Sequence, residues 1–244
     1  MSAHLEVDLG HAQATLVRLI DRAKQRAADP ELFAGLVHAC RYCGLLDASV
    51  AAHREARRLD PKVPTSVSNT LFLLGAHTRV LGEDTGDPYL KSLALVALGR
   101  NGEASKMLAA VEQTESRSSM ARNMRSALRR TAEQNHDEAL AVIRGVADSV
   151  ADSQLILDPE GLFYISRQLA YLGDVTRAVR EFGRAVEGGF FCFSAFMRDP
   201  WLDPLRSNQD FVRLLRRAEA RHREAVSTFL NAGGDRIVGV DARL

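Results

Sequence analysis

The stretch DPEGLFYISRQLAYLGDVTRAVREFGRAVE, residues Asp158–Glu187, decides the fold class of this chain. Apolar and small side chains recur at helical spacing on both sides of Gly173 and Asp174, namely Leu162, Ile165, Ser166 and Leu169 before them and Ala178, Phe182 and Ala185 after them. Glycine readily takes the backbone conformation that ends a helix. The pattern therefore predicts two antiparallel helices joined by a tight turn.

A second stretch, Asp29–Pro61, follows the same plan with a turn at Gly44. Its packing positions are Phe33, Leu36, Val37 and Cys40, followed by Ser49, His53 and Ala56. Between the two stretches, residues 64–81 predict a continued helix, 82–88 a turn-rich break, and 89–112 and 120–150 two further helix pairs. Small residues at Ala104, Ala139 and Ala178 recur at close to a period of about 34 residues.

The sequence resembles the tetratricopeptide (TPR) repeat family. The resemblance is specific over residues 158–225, fair over residues 29–61 and loose between these two stretches. The segments RDPWLDPLR, Arg198–Arg206, and FVRLL, Phe211–Leu215, resemble the end of bacterial TPR regions attached to serine/threonine kinases, nucleotide cyclases or transcriptional regulators. The resemblance implies an all-α, right-handed α-solenoid of about five degenerate TPR-like helical hairpins. A C-terminal capping segment and helix would cover the apolar face of the last repeat.

The expected organisation has four parts. Residues 1–28 form an N-terminal amphipathic helix, and 29–187 form the repeat array. Residues 188–229 form a Trp/Phe-rich cap with a terminal helix, and 230–244 form a frayed tail. An exposed aromatic docking patch is the alternative role for the cap that contains Trp201.

Composition gives no reason to expect nucleic acid or membrane as the partner. The formal net charge is +1, and 46% of the residues are hydrophobic but only 6% aromatic. The first residues, MSAHLEVDLGH, lack the basic start and apolar core of a secretory signal, and no uncharged run reaches the roughly 20 residues of a membrane helix. Three cysteines do not make a disulfide framework, so we expect a cytoplasmic protein.

Candidate chemistry is sparse. Cys40 and Cys43 beside His38 have the spacing of half a metal or redox site, but no second ligand pair follows, and Cys40 lies on a packing face. His136-Asp137-Glu138 falls at a predicted helix start, where acidic residues are favoured. No phosphate-binding glycine loop or nucleophile motif occurs. The sequence predicts no metal, no cofactor and no catalysis.

Two arginine-rich stretches provide the remaining charge pattern. They contain Arg117, Arg122, Arg125, Arg129 and Arg130, and Arg206, Arg213, Arg216, Arg217, Arg221 and Arg223. Acidic residues dilute both stretches and no aromatics alternate with the arginines, so solvated helix faces are favoured over a nucleic-acid surface.

In TPR proteins the first helix of each hairpin lines a concave groove, and the resemblance carries that role to six positions. These partner-binding candidates are His38, Arg41, Tyr42, Phe163, Arg167 and Tyr171. Arginine with tyrosine suits a carboxylate-bearing or extended peptide. Packing between repeats is the alternative role for the same side chains. We therefore expect a non-catalytic protein–protein interaction module. A detached regulatory region of a kinase, cyclase or transcriptional regulator is one alternative, and an enzyme with a site across the superhelix is a lower one.

Overall fold

The computed structural model describes residues 3–26, 28–83, 87–114, 119–152 and 158–241. Every regular element within these ranges is a helix, so the all-α class is confirmed. None of these helices combines the length and apolar composition needed to cross a lipid bilayer.

The N-terminal segment contains α1 (Ala3–Glu6), a π-helical turn (Val7–His11) and α2 (Ala12–Gln25). The expected single helix is therefore bent. Gly10 has a φ of 89°, which interrupts the helix just before α2. Leu16 and Ile20 of α2 are fully buried, and the helix packs against the first hairpin.

Five helix pairs follow within the described residues, in agreement with the expected number of hairpins. The pairs are α3 (Pro30–Tyr42) with α4 (Leu46–Leu59), α5 (Val67–Leu73) with α6 (His77–Gly82), α7 (Pro88–Ala97) with α8 (Asn101–Thr114), α9 (Ser119–Ala132) with α10 (His136–Asp152), and α11 (Pro159–Tyr171) with α12 (Val175–Glu187). The helices of each pair contact one another, and successive pairs also contact one another.

Three of these pairs begin with the same N-terminal helix cap. Asp29, Asp87 and Asp158 each accept a hydrogen bond from the backbone N–H two residues later, and each precedes a proline. The carboxylate accepts a hydrogen bond from a backbone N–H that has no partner within the helix. Proline at the first helical position has no N–H and therefore needs no acceptor. The Asp-Pro sequence therefore sets where α3, α7 and α11 start.

Residues 64–81 differ from the expected continuous helix. Gly75, with a φ of 75°, ends α5 and turns the chain into α6. The turn places His77 at the start of α6 beside Phe72, with ring centroids 5.3 Å apart. In the break predicted at 82–88, residues 84–86 lie outside the described part of the chain.

The C-terminal block contains α13 (Phe193–Arg198), a 3₁₀ turn (Pro200–Leu205), α14 (Gln209–Asn231) and α15 (Gly234–Val238). The prolines limit helix length as expected, and Phe190, Phe196 and Phe211 are fully buried. The expected frayed tail is partly folded, because Val238 is buried and α15 packs against α2 and α4. Residues 242–244 of that tail lie outside the described ranges.

The two ends of the chain pack against each other. The Phe191 N–H donates to the carbonyl of Tyr42 at 3.0 Å, and the His222 ring bonds the carbonyl of Cys43 through Nδ1 at 2.8 Å. A β-carbon on Gly189 would lie only 2.8 Å from the Cα of Gly10, so these backbones touch. The first hairpin therefore shares an interface with the cap that follows the last hairpin.

Candidate functional site

The six groove candidates fall into two groups, and five of them are buried. Tyr171 is the exception, with 37% of its surface exposed. His38, Arg41 and Tyr42 of α3 join α11 and the N-terminal segment in one buried polar network. Phe163, Arg167 and Tyr171 of α11 face the aromatic core and the cap. In these conformations most of the six side chains pack between repeats.

The polar network is centred on Arg41. Its Nε and Nη2 lie 3.0 and 2.9 Å from Oε2 of Glu160, and both side chains are almost completely buried. Its Nη1 donates to the carbonyl and to the hydroxyl of Ser66 at 3.1 and 2.7 Å. The amide of Asn69 donates to the second oxygen of Glu160 at 3.1 Å. The network therefore ties α3 and α11 to the start of α5.

His38 extends this network to the N-terminal segment. Its Nδ1 lies 2.6 Å from Nη2 of Arg41, and its Nε2 lies 2.7 Å from Oδ1 of Asp8. Because a guanidinium only donates, Nδ1 accepts, and a neutral ring carries its proton on Nε2. Burial and then the charge of Arg41 lower the pKa of His38, which favours this neutral form.

The hydroxyl of Tyr42 contacts two carboxylates whose pKa values shift in opposite directions. Its hydroxyl lies 3.0 Å from Oδ1 of Asp8 and also bonds Asp158. Burial and then the charge of Glu160 raise the pKa of Asp158 to about 6. Burial opposes ionisation of Asp8 as well, but hydrogen bonds from His38 and Tyr42 outweigh it and lower the pKa of Asp8.

The second group surrounds a buried arginine. Arg167 Nε and Nη2 lie 2.6 and 3.3 Å from the two carboxylate oxygens of Asp199. The guanidinium carbon lies 4.2 Å from the ring centroid of Trp201 and 5.0 Å from that of Phe72. Tyr171 stacks on Trp201 with ring centroids 4.5 Å apart. Cation–π contacts and the ion pair thus fix the orientation of Arg167.

A cavity of about 280 Å³ opens beside this arginine. We call it the Arg167 cavity, and the turn between α5 and α6, the end of α7, α11 and the cap enclose it. Its lining residues are Phe72, Leu73, Gly75, His77, Val96, Ala97, Arg167, Ala195, Arg198, Asp199, Pro200 and Trp201.

Two polar atoms in the lining have no hydrogen-bond partner within the described part of the chain. They are Nη1 of Arg167, a residue with only 4% of its surface exposed, and Nδ1 of the half-buried His77. Burial and then the charge of Arg167 lower the pKa of His77. Buried polar atoms are nearly always hydrogen-bonded, so these two unpartnered atoms are exceptions, and because each atom is itself buried neither is open to a ligand as the side chains stand.

Three exposed hydrophobic residues neighbour residues that line this cavity, either in sequence or by ring stacking. Of the four large ones among the described residues, Leu98 and Met197 adjoin lining residues in sequence, and Tyr171 stacks on lining residue Trp201. The fourth, Leu5, is at the N-terminal end. We call Leu98, Tyr171 and Met197 the rim of the Arg167 cavity.

Sequence reasoning found Arg167 and Tyr171 but missed the residues facing them. The apolar pattern of residues 64–81 predicts one helix and so conceals the turn that positions His77, although Gly75 indicates that turn. For Trp201 the sequence predicts a role in the cap, with an exposed docking patch as the alternative, and the structure places it in the lining of the cavity. The Asp199-Pro200-Trp201 sequence carried a usable signal, because the Asp199 side chain accepts from the Trp201 N–H at 3.0 Å and fixes this turn.

The other candidate sites are dispersed. Cys40 and Cys43 are free and buried, and the described residues contain no cluster of three or more His, Cys, Asp and Glu side chains able to hold a metal ion. His136 begins α10 and lies against the Tyr171 ring at 5.7 Å. Arg129 and Arg130 pair with acidic residues, and Arg117 lies outside the described residues.

Comparison with known proteins adds no assignment: the sequence matches no protein-family model and no curated protein. The resemblance to TPR repeats therefore rests on the residues quoted above.

Proposed function

We propose that this chain is a non-catalytic protein-interaction module that binds a peptide segment across the rim of the Arg167 cavity. The proposal rests on one observation, namely that the three rim residues are neighbours of residues that line the cavity. Exposed large hydrophobics that gather around a concave site are typical of interaction surfaces, whereas isolated ones are ordinary.

The polar groups at the same place fit a peptide. Arg198 is exposed at the mouth, and its guanidinium already reaches across to the carbonyl of Leu74 at 2.9 Å. Arginine and aromatic residues are the side chains most often responsible for binding energy at protein interfaces. The proposal moves the expected binding surface from the buried positions of α3 to the α11 end of the array.

The cellular context that we propose is taken from the resemblance to bacterial TPR regions. RDPWLDPLR supplies Arg198, Asp199 and Trp201 to the cavity, and this segment is the one similar to the ends of bacterial TPR regions. We propose accordingly that the chain forms a right-handed TPR array in a bacterial cytoplasm. There it would serve a signalling protein as a scaffold or regulatory region.

Selection from a displayed library of random peptides about ten residues long tests this function. Selected peptides should bind the wild-type protein saturably, and Tyr171→Ser/Met197→Ser should weaken binding at least about tenfold, or about 1.4 kcal/mol. Leu5→Ser is the matched control, because it removes an exposed hydrophobic residue outside the rim. Equal binding by the folded double variant would refute the assignment of the rim.

A further inference from the structure

The first residues of the chain lie across the buried polar network. We call residues 3–11, which comprise α1 and the π-helical turn, the N-terminal strap. Asp8 of the strap bonds both His38 and Tyr42 of α3, and the ring of His4 lies 4.9 Å from that of His38. Two of the six groove candidates are therefore covered by the chain's own N-terminal segment.

We propose that the strap is a pH-dependent gate, which one proton shared among Asp158, Tyr42 and Asp8 holds closed over α3. Loss of that proton loosens the strap and uncovers His38 and Tyr42, at positions where the TPR resemblance implies a groove. This inference goes beyond the proposed function, because it depends on neither the Arg167 cavity nor its rim.

The hydroxyl of Tyr42 has one hydrogen for two carboxylates. It lies 3.0 Å from Oδ1 of Asp8 and also contacts Oδ1 of Asp158. A phenol donates a single hydrogen, and an ionised carboxylate donates none. With both carboxylates ionised, one of the two contacts would therefore bring two oxygens together without a hydrogen between them. A proton on one carboxyl group completes the chain, because that group donates to Tyr42 and Tyr42 donates to the other carboxylate.

The surroundings of the two carboxyl groups place this proton on Asp158. Asp8 also accepts the bond from Nε2 of His38 at 2.7 Å. At Asp8 the effect of burial is outweighed by the bonds from His38 and Tyr42, so its pKa is lowered. At Asp158 burial and then the charge of Glu160 raise the pKa to about 6, and the charge of Asp8 adds to this rise.

Attachment of the strap and retention of this proton support each other. The strap packs against α11, so its release removes the Asp8 charge and exposes the start of that helix to water. Both changes lower the pKa of Asp158. By linkage, loss of the Asp158 proton weakens attachment of the strap. The strap is therefore held most firmly below a pH of about 6 and less firmly above it.

The other titratable groups around the strap do not reverse this dependence. Burial by the strap lowers the pKa of His38 and the bond from Asp8 raises it, so the two effects of release on His38 oppose each other. The charges of Arg41 and Glu160 act on His38 whether the strap is attached or released. Asp8 has a pKa below its usual 3.8 and is ionised on both sides of the transition. His4 belongs to the strap and stays close to Asp8 in both forms.

Hydrogen–deuterium exchange of the full chain, resolved by mass spectrometry of its peptides, measures opening of the strap. The protection factor divides the intrinsic exchange rate by the observed rate, which removes the effect of pH on the exchange chemistry. We expect protection of residues 3–11 to fall at least about threefold between about pH 5 and about pH 7.5, the factor that half a pKa unit produces.

Protection of the strap should also stay below that of α12 at both pH values, because the strap opens without unfolding of the array. Strap protection that is unchanged or rises with pH would overturn the proposal. Equal protection of the strap and α12 would overturn it as well, since the strap would then exchange only by global unfolding.

Two aspartate variants separate the shared proton from helix capping. Asp158→Asn cannot ionise, and its amide can donate to the Tyr42 oxygen as a protonated carboxyl group does, so strap protection should be the same at the two pH values. Asp29→Asn is the matched control, because Asp29 also precedes a proline and accepts from the Glu31 N–H at 3.1 Å. It should keep the pH dependence of the wild type. Persistence of the dependence in Asp158→Asn, or its loss in both variants, would contradict the shared proton.

Discussion

Arg41 and Glu160 form a buried ion pair with an Nη2–Oε2 distance of 2.9 Å, although 119 positions separate them in the sequence. Arg41 lies in the first hairpin and Glu160 in the last. In an open solenoid each repeat contacts only its neighbours. Here the pair joins the first hairpin to the last, and the bond from the Phe191 N–H to the Tyr42 carbonyl joins the first hairpin to the cap, so the stability of the first hairpin depends on both.

Arg41→Met should destabilise the protein by roughly 3–5 kcal/mol, because it leaves Glu160 charged and buried without its partner. Urea unfolding followed by circular dichroism measures the change. Arg58→Met removes an arginine from the exposed pair with Glu55 and should change stability by no more than about 0.5 kcal/mol. A similarly small effect at Arg41 would show that the ion pair does not join the two hairpins in solution.

Gly44→Ala tests the contact between the first hairpin and the cap. The new β-carbon would lie 2.8 Å from Nδ1 of His222 and 3.3 Å from the Cα of Cys192. Gly99→Ala is the matched control, since Gly99 has a φ of 73° against 75° for Gly44 and no atom within 4 Å of its β-carbon position.

We expect Gly99→Ala to cost about 1–2 kcal/mol from backbone strain alone. Gly44→Ala should cost at least about 1 kcal/mol more, because the bond from His222 to the Cys43 carbonyl must also be displaced. Thermal unfolding of the two variants measures the difference. Equal losses would show that the His222 contact is absent in solution.

The helices were predictable because their causes are local. Asp-Pro starts, glycine turns and apolar spacing of three or four residues fix α3, α4, α11 and α12 without knowledge of the rest of the chain. The division of residues 64–81 was missed, because the apolar run conceals a turn that depends on Gly75 alone.

The candidate site was less predictable, because it depends on contacts between distant segments. The sequence ranked Arg41 and Arg167 equally, as arginines on first helices. Glu160 and Ser66 occupy the donors of Arg41, whereas Asp199 leaves one nitrogen of Arg167 unbonded among the described residues. That difference arises from which acidic residue each arginine meets, and repeat spacing does not contain this information.

Asp158→Asn should remove one contribution to stability that depends on pH. Burial and the charge of Glu160 raise the folded-state pKa of Asp158 to about 6, above its usual value of 3.8. The contribution of Asp158 to stability should therefore fall as pH rises from about 4 to about 6, because the folded state holds this proton more tightly than the unfolded state; carboxylates with a lowered pKa, such as Asp8, contribute in the opposite direction.

Asparagine keeps an oxygen for the Glu160 N–H and the Tyr42 hydroxyl but cannot ionise. The Asp158 carboxylate is packed against Tyr42 and the Glu160 N–H while the rest of the residue is exposed, so water screens its charge in part. We therefore expect the variant to gain at most about 1 kcal/mol at pH 7 and nothing at pH 4. Urea unfolding at both pH values measures this. A gain of equal size at pH 4 would assign the effect to something other than the Asp158 charge.

The three cysteines should be inert in the folded protein. Burial raises the pKa of the Cys192 thiol to about 12 and that of Cys43 well above its usual value, and Cys40 is fully buried as well. Because the thiolate is the reactive form, dithionitrobenzoate should label no thiol rapidly in native buffer and all three in 6 M guanidinium chloride. Peptide mapping compares the labelling of Cys40 and Cys43 with that of Cys192. Rapid labelling of Cys40 or Cys43 in native buffer would show that the first hairpin opens, and a redox or metal role for this cysteine pair would then have to be reconsidered.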